Sequence, residues 1–556
     1  MADIISLRDV WIRYRKGYDY VLRGVSFDIR EGERVGLVGS SGCGKSTICH
    51  LVKGLVPWVE DVDEFKGDVL VDGVRVGGVL PGDMVGLVFQ DLGRMLFRTT
   101  VELEASFGLE GRGLERAEIE RRVFYYLRTV GLYGLRKRSV YELSVGQRRL
   151  LALASVLVME PRVLILDDVF IDLDPIWRCR VFELVDFMNR EFDTTVIITG
   201  KNLEGVVEHV DRLIVLDKGV VVLDEKPIEL RDLDFFINKG LRVPQVAEFF
   251  YKIGQSGPYP VSVAGALSRF GTNVSLGERA SIMNKKSGAR KSSNPIIMLS
   301  NVWHSYDKRD FVLKDINLQI SGGEIVAVIG SNGSGKSTLL MIMGGLLKPR
   351  RGDVYFCVNA SNKKGYIGYV FQDPGEQLLF TTVKKMLLFA LEGLNISRQK
   401  KEERIRYVME MLGILTLANE DIDNLTISDR KRVALAMALV KDPDIVIIDE
   451  PMIGLMHSEI KRIMNFLRVR CTGREGILIF STNEMWLTAE YATRVIVLRD
   501  GRIFMDGPPE VIFSHFDTLK ELNLATPQIT FFSLRTFGKC FLSVDEAVNY
   551  FRRVGV

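Results

Sequence analysis

The chain has 556 residues with 74 Lys and Arg against 71 Asp and Glu, a net charge of +3. At ~100–200 residues per domain this length predicts three to five units, and the 47% hydrophobic content excludes a largely disordered or fibrous chain. The charge is too small to predict nucleic-acid binding, and six Cys without metal-ligand spacing argue against a disulfide scaffold or a zinc site.

The first half alternates short apolar runs with helical stretches. The runs RVGLVG, RVLILDD, TTVIITG and RLIVLD are rich in Val, Ile and Leu without polar alternation, and AEIERRVFYYLRTVGL, residues 117–132, has a helical pattern. Continuous apolar runs are typical of strands that are covered on both faces. The first half is therefore predicted to contain a mostly parallel α/β sheet with an inserted helical subdomain.

The second half repeats these elements in the same order. Its predicted strands are EIVAVIG, DIVIIDE, GILIFST and RVIVLR, and its predicted helix is KEERIRYVMEMLGIL, residues 401–415. The segment VFQD occurs at Val88 and Val370, and the same spacing relates Asp167 to Asp449. The tails also correspond, because GLRVPQVAEFF resembles NLATPQITFF. The period is too long for a solenoid and predicts two large homologous halves.

A segment of low apolar content separates the halves. Residues 271–295 are rich in Gly, Ser, Asn and Lys, a composition typical of a flexible linker. We therefore predict domains at 1–270 and 296–556, each with a C-terminal extension. The N-terminus has no apolar core of a signal peptide, and the longest apolar stretch, Leu150 to Met159, is too short for a bilayer. Any membrane role is therefore expected to go through a partner.

Each half contains a G-x-x-x-x-G-K-[ST] loop that follows a predicted strand and precedes a helix. In this context the backbone N–H groups and the helix N-terminus bind phosphate, Lys45 and Lys336 reach the β/γ-phosphates, and Ser46 and Ser337 bind Mg²⁺. The predicted nucleotide-binding residues are Gly39, Ser40, Ser41, Gly42, Cys43, Gly44, Lys45, Ser46, Thr47, Gly330, Ser331, Asn332, Gly333, Ser334, Gly335, Lys336, Ser337 and Thr338.

Acidic residues end the next predicted strands of both halves. Asp167 and Asp449 follow buried runs, where a carboxylate can complete the shell of the metal ion. Together with the two phosphate loops, these acids predict a P-loop nucleotide-binding protein.

The segment ELSVGQRR, residues 142–149, resembles the LSGGQ signature of ATP-binding cassette (ABC) ATPases, and the resemblance extends over nearly the whole chain. It implies two tandem P-loop domains that bind ATP and Mg²⁺. Gln90 and Gln372 match the Q-loop glutamine, which also contacts the metal, and Tyr14 and Tyr306 match the aromatic residue that stacks on adenine.

A closer resemblance is to the ATPases of energy-coupling-factor (cobalt/vitamin) importers. It is seen in VFQDPGEQLLFTTV and in the tail segments SVAGALSRF and SVDEAVNYF. It implies that grooves next to Gln90 and Gln372 receive a helix of a membrane protein. The residues expected to line them, by this resemblance, are Leu96, Phe97, Leu378, Leu379 and Phe380.

ABC ATPases pair head to tail, so the resemblance implies that each ATP lies between the P-loop of one half and the signature of the other. The site on the first P-loop has Asp168 in place of the catalytic glutamate and Gly200 in place of the switch histidine. Its facing signature is LTISD, residues 425–429, in which Asp429 brings negative charge, and its facing D-loop has Met456 instead of aspartate.

The site on the second P-loop is nearly complete. Glu450 follows Asp449 as the family pattern requires, and Lys336 and Gln372 are present. The switch position departs from the pattern, with Asn483 in place of histidine. The amide of Asn483 can still donate a hydrogen bond to the γ-phosphate. The facing residues implied by the resemblance are Ser144, Gly146, Gln147 and Asp174, with Val145 as the one departure. We expect one hydrolytic site and one site that binds ATP and turns over slowly.

These inferences predict the tandem ATPase of an energy-coupling-factor type importer at the cytoplasmic face of the membrane, powering uptake of a vitamin or transition-metal ion. The partners would be membrane transporter subunits, with a separate substrate-binding subunit, no nucleic acid and no need for a homodimer. Two alternatives remain, the tandem ATPase of another transporter class such as a sugar importer and a ribosome-associated tandem ABC factor. The substrate cannot be inferred, because its binding site would lie in another protein.

Overall fold

The computed structural model describes residues 3–14, 19–57, 62–76, 82–90, 95–170, 175–226, 230–270, 295–307, 310–356, 367–378, 382–451, 454–474 and 476–554. The chain forms two compact units, Met1–Gly265 and Ala266–Val556, where the length alone predicted three to five. The predicted linker lies outside the described residues except for residue 295.

The first unit contains ten strands in its described part. They are β1 (Asp3–Tyr14), β2 (Leu22–Arg30), β3 (Arg34–Gly39), β4 (Val62–Val71), β5 (Val74–Arg75), β6 (Val85–Val88), β7 (Val163–Leu166), β8 (Thr195–Gly200), β9 (Arg212–Asp217) and β10 (Val220–Glu225).

Its helices lie after the strands of the core sheet and in the tail. They are α1 (Lys45–Lys53), α2 (Val101–Glu110), α3 (Arg116–Thr129), α4 (Val145–Leu157), α5 (Pro175–Phe192), α6 (Leu233–Asn238), α7 (Gln245–Lys252) and α8 (Val263–Phe270), the last of which ends in the second unit.

Two sheets make up the first unit. One has the order β2-β1-β4-β5 and is antiparallel, and the other has the order β10-β9-β3-β8-β7-β6. In the second sheet all neighbours are parallel except the β9–β10 pair at the edge. The parallel strands include those predicted from continuous apolar runs, so the predicted α/β architecture is confirmed.

The second unit repeats this arrangement. Its strands are β11 (Pro295–His304), β12 (Leu313–Ser321), β13 (Ile325–Gly330), β14 (Arg351–Phe356), β15 (Ile367–Val370), β16 (Ile445–Asp449), β17 (Ile477–Ser481), β18 (Arg494–Arg499) and β19 (Arg502–Gly507). One sheet has the order β12-β11-β14 and is antiparallel. The other has the order β15-β16-β17-β13-β18-β19 and is parallel except for the β18–β19 pair at its edge.

Ten helices complete the second unit in its described part. They are α9 (Lys336–Met343), α10 (Val383–Ala390), α11 (Arg398–Leu412), α12 (Ile427–Leu439), α13 (His457–Arg474), α14 (Met485–Tyr491), α15 (Pro509–Ser514), α16 (Phe516–Glu521), α17 (Gln528–Phe537) and α18 (Val544–Val554). Across the residues described above, every helix is too short or too polar to cross a lipid bilayer.

The parallel sheet is buried on both faces, which explains its unbroken apolar sequence. In β13, Ile325, Ala327 and Ile329 pack in the core beside the helical subdomain, whereas Val326 and Val328 pack in the core beside α9. Alternate side chains of a strand point to opposite faces, so both faces must be apolar here. This burial fixes the carboxyl ends of the central strands, where the predicted site residues lie.

The two units share local backbone conformations that residues other than glycine rarely adopt. Left-handed φ angles occur at Asp168 and Glu450, at 48° and 49°, and also at Lys218 and Asp500, at 47° and 49°. Such a conformation costs ~1–3 kcal/mol and persists only where surrounding contacts hold it. Its recurrence at corresponding positions indicates that the repeat extends to the geometry of the acidic strand ends.

Candidate nucleotide-binding and hydrolytic sites

Both glycine-rich loops connect a central parallel strand to a helix that begins at the loop lysine. Lys45 Nζ donates to the carbonyls of Gly39 and Ser40 at 2.8 and 2.9 Å. Lys336 Nζ donates to the carbonyls of Gly330 and Ser331 at 2.8 and 3.2 Å. Each ammonium group therefore lies at the centre of its loop, where a phosphate group would meet it together with the helix N-terminus.

The first glycine of each loop is required by the neighbouring strand. A Cβ atom on Gly39 would lie 2.3 Å from the Leu216 carbonyl oxygen, and one on Gly330 would lie 2.5 Å from that of Leu498. Both contacts are with backbone and cannot relax cheaply. The loop can therefore leave its strand in this direction only with glycine at this position.

The two predicted adenine-stacking tyrosines lie beside the loops. The Tyr14 hydroxyl is 3.3 Å from Thr47 Oγ1, and the Tyr306 hydroxyl is 3.1 Å from Thr338 Oγ1. Tyr306 is 59% exposed, so its ring is available to a planar ligand. The position suits the stacking role, which stays a prediction.

The acid at each strand end accepts a hydrogen bond from a hydroxyl group, and in the first unit the loop serine Ser46 also adjoins it. In the first unit the hydroxyls of Ser46 and Thr199 both donate to the carboxyl group of Asp167, the latter at 2.8 Å. Burial raises the pKa of Asp167, and these two hydrogen bonds act in the opposite direction. In the second unit the Ser481 hydroxyl donates to Asp449.

This donor set fits Mg²⁺ bound together with a nucleotide. Serine and carboxylate oxygens are the hard ligands that Mg²⁺ prefers, and Mg²⁺ is usually held by one or two such groups plus substrate phosphates. No cluster of three or more His, Cys, Asp or Glu suited to a metal ion occurs in the described part of the chain. The phosphates would supply the remaining ligands.

The next residue in each unit is the predicted catalytic position. Its backbone N–H is held by a hydroxyl of the neighbouring strand: Asp168 N–H donates to Thr199 Oγ1 at 2.8 Å, and Glu450 N–H donates to Ser481 Oγ at 3.1 Å. Both side chains are buried. With the same backbone, the carboxylate of Asp168 is retracted by one methylene relative to that of Glu450.

Sequence reasoning missed Thr199 and Ser481. A single hydroxyl residue at a strand end gives no motif, although both lie at the same repeat position. Their equivalence also corrects the switch assignment in the first half. Thr199 pairs with Leu37, and Ser481 pairs with Val328. Leu37 and Val328 each lie two residues before the first glycine of their loop, so Thr199 and Ser481 are equivalent. The counterpart of Asn483, two residues further on, is therefore Lys201 and not Gly200.

The prediction of Gly200 as the switch position was therefore wrong by one residue. Gly200 ends β8, and a Cβ there would lie 3.0 Å from Val206 Cγ2, which explains the glycine by packing. Lys201 places a cation at the position where Asn483 stands in the second unit. Asn483 itself lies at the second loop, with Nδ2 3.3 Å from Asn332 Oδ1.

The Q-loop glutamines follow β6 and β15. Gln90 is half-buried and Gln372 is exposed. Gln377, which was not predicted, holds the backbone before Gln372: it donates from Nε2 to the Tyr369 carbonyl at 2.8 Å, and its Oε1 accepts from Phe371 N–H at 3.3 Å.

The signature of the first half forms the N-terminus of α4. Ser144 is its N-cap, Gln147 N–H donates to Ser144 Oγ at 3.2 Å, and Ser144 N–H donates to Gln147 Oε1 at 3.0 Å. This capping box presents the exposed Ser144 and the buried Gly146 at a helix N-terminus.

The signature of the second half is held by its own side chains. The Thr426 hydroxyl donates to Asp429 Oδ2 at 2.6 Å, and Arg432 pairs with the other oxygen of Asp429 and with Glu459. The negative charge expected of Asp429 is therefore balanced within the helix. The hydroxyl that corresponds to Ser144 is engaged by Asp429 and is less available to a nucleotide.

The predicted D-loop residue Asp174 and the groove residues Leu379 and Phe380 lie outside the described residues. Met456 is half-buried, and its N–H donates to Glu459 Oε2 at 2.9 Å. The head-to-tail pairing of each P-loop with the opposite signature stays a prediction.

The family model for ABC transporters matches residues 22–170 and 313–453. A protein of Caldanaerobacter subterraneus named as an ABC transporter ATP-binding protein is 33% identical over 99% of both chains. One of Methanosarcina mazei with the same description is 32% identical over 95% of this chain and 93% of its own. An archaeal ribosome recycling factor, aABCE1, in complex with the ribosomal stalk protein aP1, has a similar fold, with a TM-score of 0.58, 17% identity and 92% of each chain covered.

The lysine at the corrected switch position provides a test of the first site. We expect Lys201→Met to weaken ATP binding at that site by about 10-fold or more, because a charge-assisted hydrogen bond contributes ~1.5–3 kcal/mol. Binding of radiolabelled ATP to the full chain, fitted to two sites, measures the effect. Asn483→Ala, at the corresponding position of the second unit, is the matched control and should leave the affinity of the first site unchanged. Unaltered ATP affinity in Lys201→Met would contradict this placement.

Proposed function

The chain belongs to the ABC transporter family of ATP-binding proteins, and we propose that it is the tandem ATPase subunit of an energy-coupling-factor type importer with one hydrolytic and one slow site. ABC ATP-binding domains bind ATP with Mg²⁺ and hydrolyse it. The observation that carries the proposed asymmetry is the matched pair of acidic strand ends, identical in backbone, with Glu450 in one unit and Asp168 in the other.

Hydrolysis at the second P-loop would be a phosphoryl transfer to water. Mg²⁺, when bound, supplies charge neutralisation on the β- and γ-phosphates. Lys336 binds the same phosphate oxygens, and Glu450 orients the attacking water and accepts its proton. Gln372 and Asn483 position the water and the γ-phosphate. Positioning and electrostatic stabilisation provide most of the rate enhancement in such reactions.

The first P-loop would hold ATP and turn it over slowly. Retraction of the Asp168 carboxylate by roughly 1 Å misplaces the water, and a displacement of this size can cost ~10²-fold in rate. Lys201 adds positive charge near the γ-phosphate, which favours retention of ATP. The facing signature contributes Thr426, whose hydroxyl proton is already donated to Asp429.

The second site would be completed by the signature of the first half. In a head-to-tail pair, Ser144, Gly146 and Gln147 meet the γ-phosphate held by Lys336, and Asp174 lies beside them. ATP would close the halves, and hydrolysis would release them. This arrangement needs only one chain, because the two halves are covalently joined and their effective concentration is high.

Substitution of the two catalytic carboxylates tests the division of labour. We expect Glu450→Gln to lower steady-state ATP hydrolysis by the full chain by ~10²-fold or more, since it removes the acceptor of the water proton. Asp168→Asn, the matched change in the other unit, should lower hydrolysis less than 2-fold, a change of about 0.4 kcal/mol.

Phosphate release measures both rates, and ATP binding to each variant shows that the loss is not a loss of folding. Equal losses in the two variants, or a larger loss in Asp168→Asn, would refute the assignment of the active site.

A membrane partner is supported by an exposed apolar patch after the first Q-loop. Phe97 is 63% exposed, and its ring lies 6.5 Å from that of the exposed Phe107, with the Arg98 guanidinium over the Phe107 ring. The buried Glu104 fixes this loop, because it accepts the backbone N–H groups of Phe97 and Arg98 at 2.8 and 2.6 Å. A rigidly held, exposed phenylalanine suits the groove predicted next to Gln90.

We expect Phe97→Ser to weaken association with membranes while ATP binding is retained, because the substitution removes an apolar anchor and leaves the P-loop intact. The measurement is the recovery of tagged chain with integral membrane proteins after mild detergent extraction. Tyr141→Ser is the matched control, since Tyr141 is exposed and lies outside the patch.

Co-purification with a membrane transporter subunit would support the importer, and the identity of that subunit would distinguish an energy-coupling-factor complex from another transporter class such as a sugar importer. Co-sedimentation with ribosomes, unaffected by Phe97→Ser, would favour the ribosome-associated alternative and contradict the proposal.

A further inference from the structure

Lys431 lies in α12 with its side chain fully buried, at 0% exposure. Burial of an ammonium group is costly unless each N–H finds an acceptor. This lysine follows the second signature and lies outside the motifs that identify the phosphate loop and the acidic strand end. Its burial therefore requires a structural reason.

The ammonium group contacts three backbone carbonyls from two other segments. Lys431 Nζ donates to the Phe371 carbonyl at 2.8 Å, to the Gln372 carbonyl at 3.3 Å and to the Asp449 carbonyl at 3.2 Å. An ammonium group has three N–H donors, so these three acceptors match its capacity. One side chain thus joins the signature helix, the Q-loop and the end of β16.

The contact with Asp449 acts on the peptide that precedes Glu450. Lys431 holds the C=O of the Asp449–Glu450 peptide, while Ser481 accepts its N–H at 3.1 Å. The peptide is therefore fixed at both ends. This constraint matters because Glu450 has a left-handed φ of 49°, which persists only where surrounding groups enforce it.

The first unit has a longer cation at the equivalent position. Arg149 is also buried, and it donates to the Val169 carbonyl at 3.2 Å. Val169 follows Asp168, whereas the Asp449 carbonyl held by Lys431 precedes Glu450. A buried cation behind the acidic strand end is thus common to both units.

We propose that Lys431 is a positioning residue for hydrolysis. It fixes the peptide from which the Glu450 carboxylate projects and joins that peptide to the backbone of Gln372, without contacting the nucleotide. This inference rests on the proposed catalytic role of Glu450. A movement of the Q-loop would then be transmitted to the catalytic carboxylate through one ammonium group.

The test is a double-mutant cycle on the full chain between Lys431→Met and Glu450→Gln, read by single-turnover hydrolysis of radiolabelled ATP. We expect Lys431→Met alone to lower the rate by ~10–10²-fold, the range that a misplaced catalytic group costs, with ATP affinity within about 2-fold of the parent. In the Glu450→Gln background the same substitution should lower the rate by less than ~2-fold, because the group it positions is already lost.

Conservative replacement and a remote substitution separate positioning from folding. Lys431→Arg should restore the rate to within ~3-fold of the parent, a difference of about 0.7 kcal/mol. Thr530→Val is the stability control: it removes a buried hydroxyl that donates to the Phe541 carbonyl at 2.7 Å in the C-terminal extension, and it should leave the rate unchanged. If Lys431→Met does not fold, Lys431→Gln replaces it, with a lowered rate and unchanged ATP affinity expected.

A parental rate in Lys431→Met or Lys431→Gln, an equal loss in the Glu450→Gln background, or a loss of ATP affinity that accounts for the rate would overturn the inference. Failure of Glu450→Gln itself to lower the rate would instead overturn the proposed function, so the two failures are distinguishable.

Discussion

In each unit the geometry of the candidate site depends on one peptide group at the end of a buried parallel strand. The residue after the strand-end acid has a left-handed conformation. Its N–H donates to a hydroxyl of the neighbouring strand, which belongs to Thr199 in one unit and to Ser481 in the other. The same hydroxyl donates to the strand-end acid. The carboxylates proposed to bind the metal ion and to activate water are thereby fixed relative to the phosphate loop, from which they are separated by the strand that carries the hydroxyl.

Because this backbone is common to both units, the difference between them lies in side chains. Asp168 is shorter than Glu450, Lys201 replaces an amide with a cation, and the Thr426 hydroxyl donates to a carboxylate, Asp429, where the first signature has Gln147. Under the proposed function, each change would lower hydrolysis at the first P-loop more than it lowers ATP binding. The protein would thus retain one nucleotide as a structural ligand of the closed state while the other is turned over, which is the proposed division of labour.

The elements that the sequence predicts well are the buried strands and the glycine-rich loops. Continuous apolar runs identified β3, β7, β13 and β16 because strands of a covered parallel sheet have no polar face, and the loops followed from their glycines. The predicted switch position of the first half was wrong by one residue, although the spacing that relates Asp167 to Asp449 also relates Lys201 to Asn483 in the sequence. Lys431, Thr199 and Ser481 gave no signal, because their roles arise from segments that only the fold brings together.

The central claim is that one ATP is hydrolysed and one is retained in each catalytic cycle. It is tested most directly by rapid quenching of the full chain with both sites filled by radiolabelled ATP, followed by separation of bound ATP and ADP. We expect a first phase of one ADP per chain, with one ATP still bound after that phase is complete. Two ADP per chain formed in a single phase would contradict it.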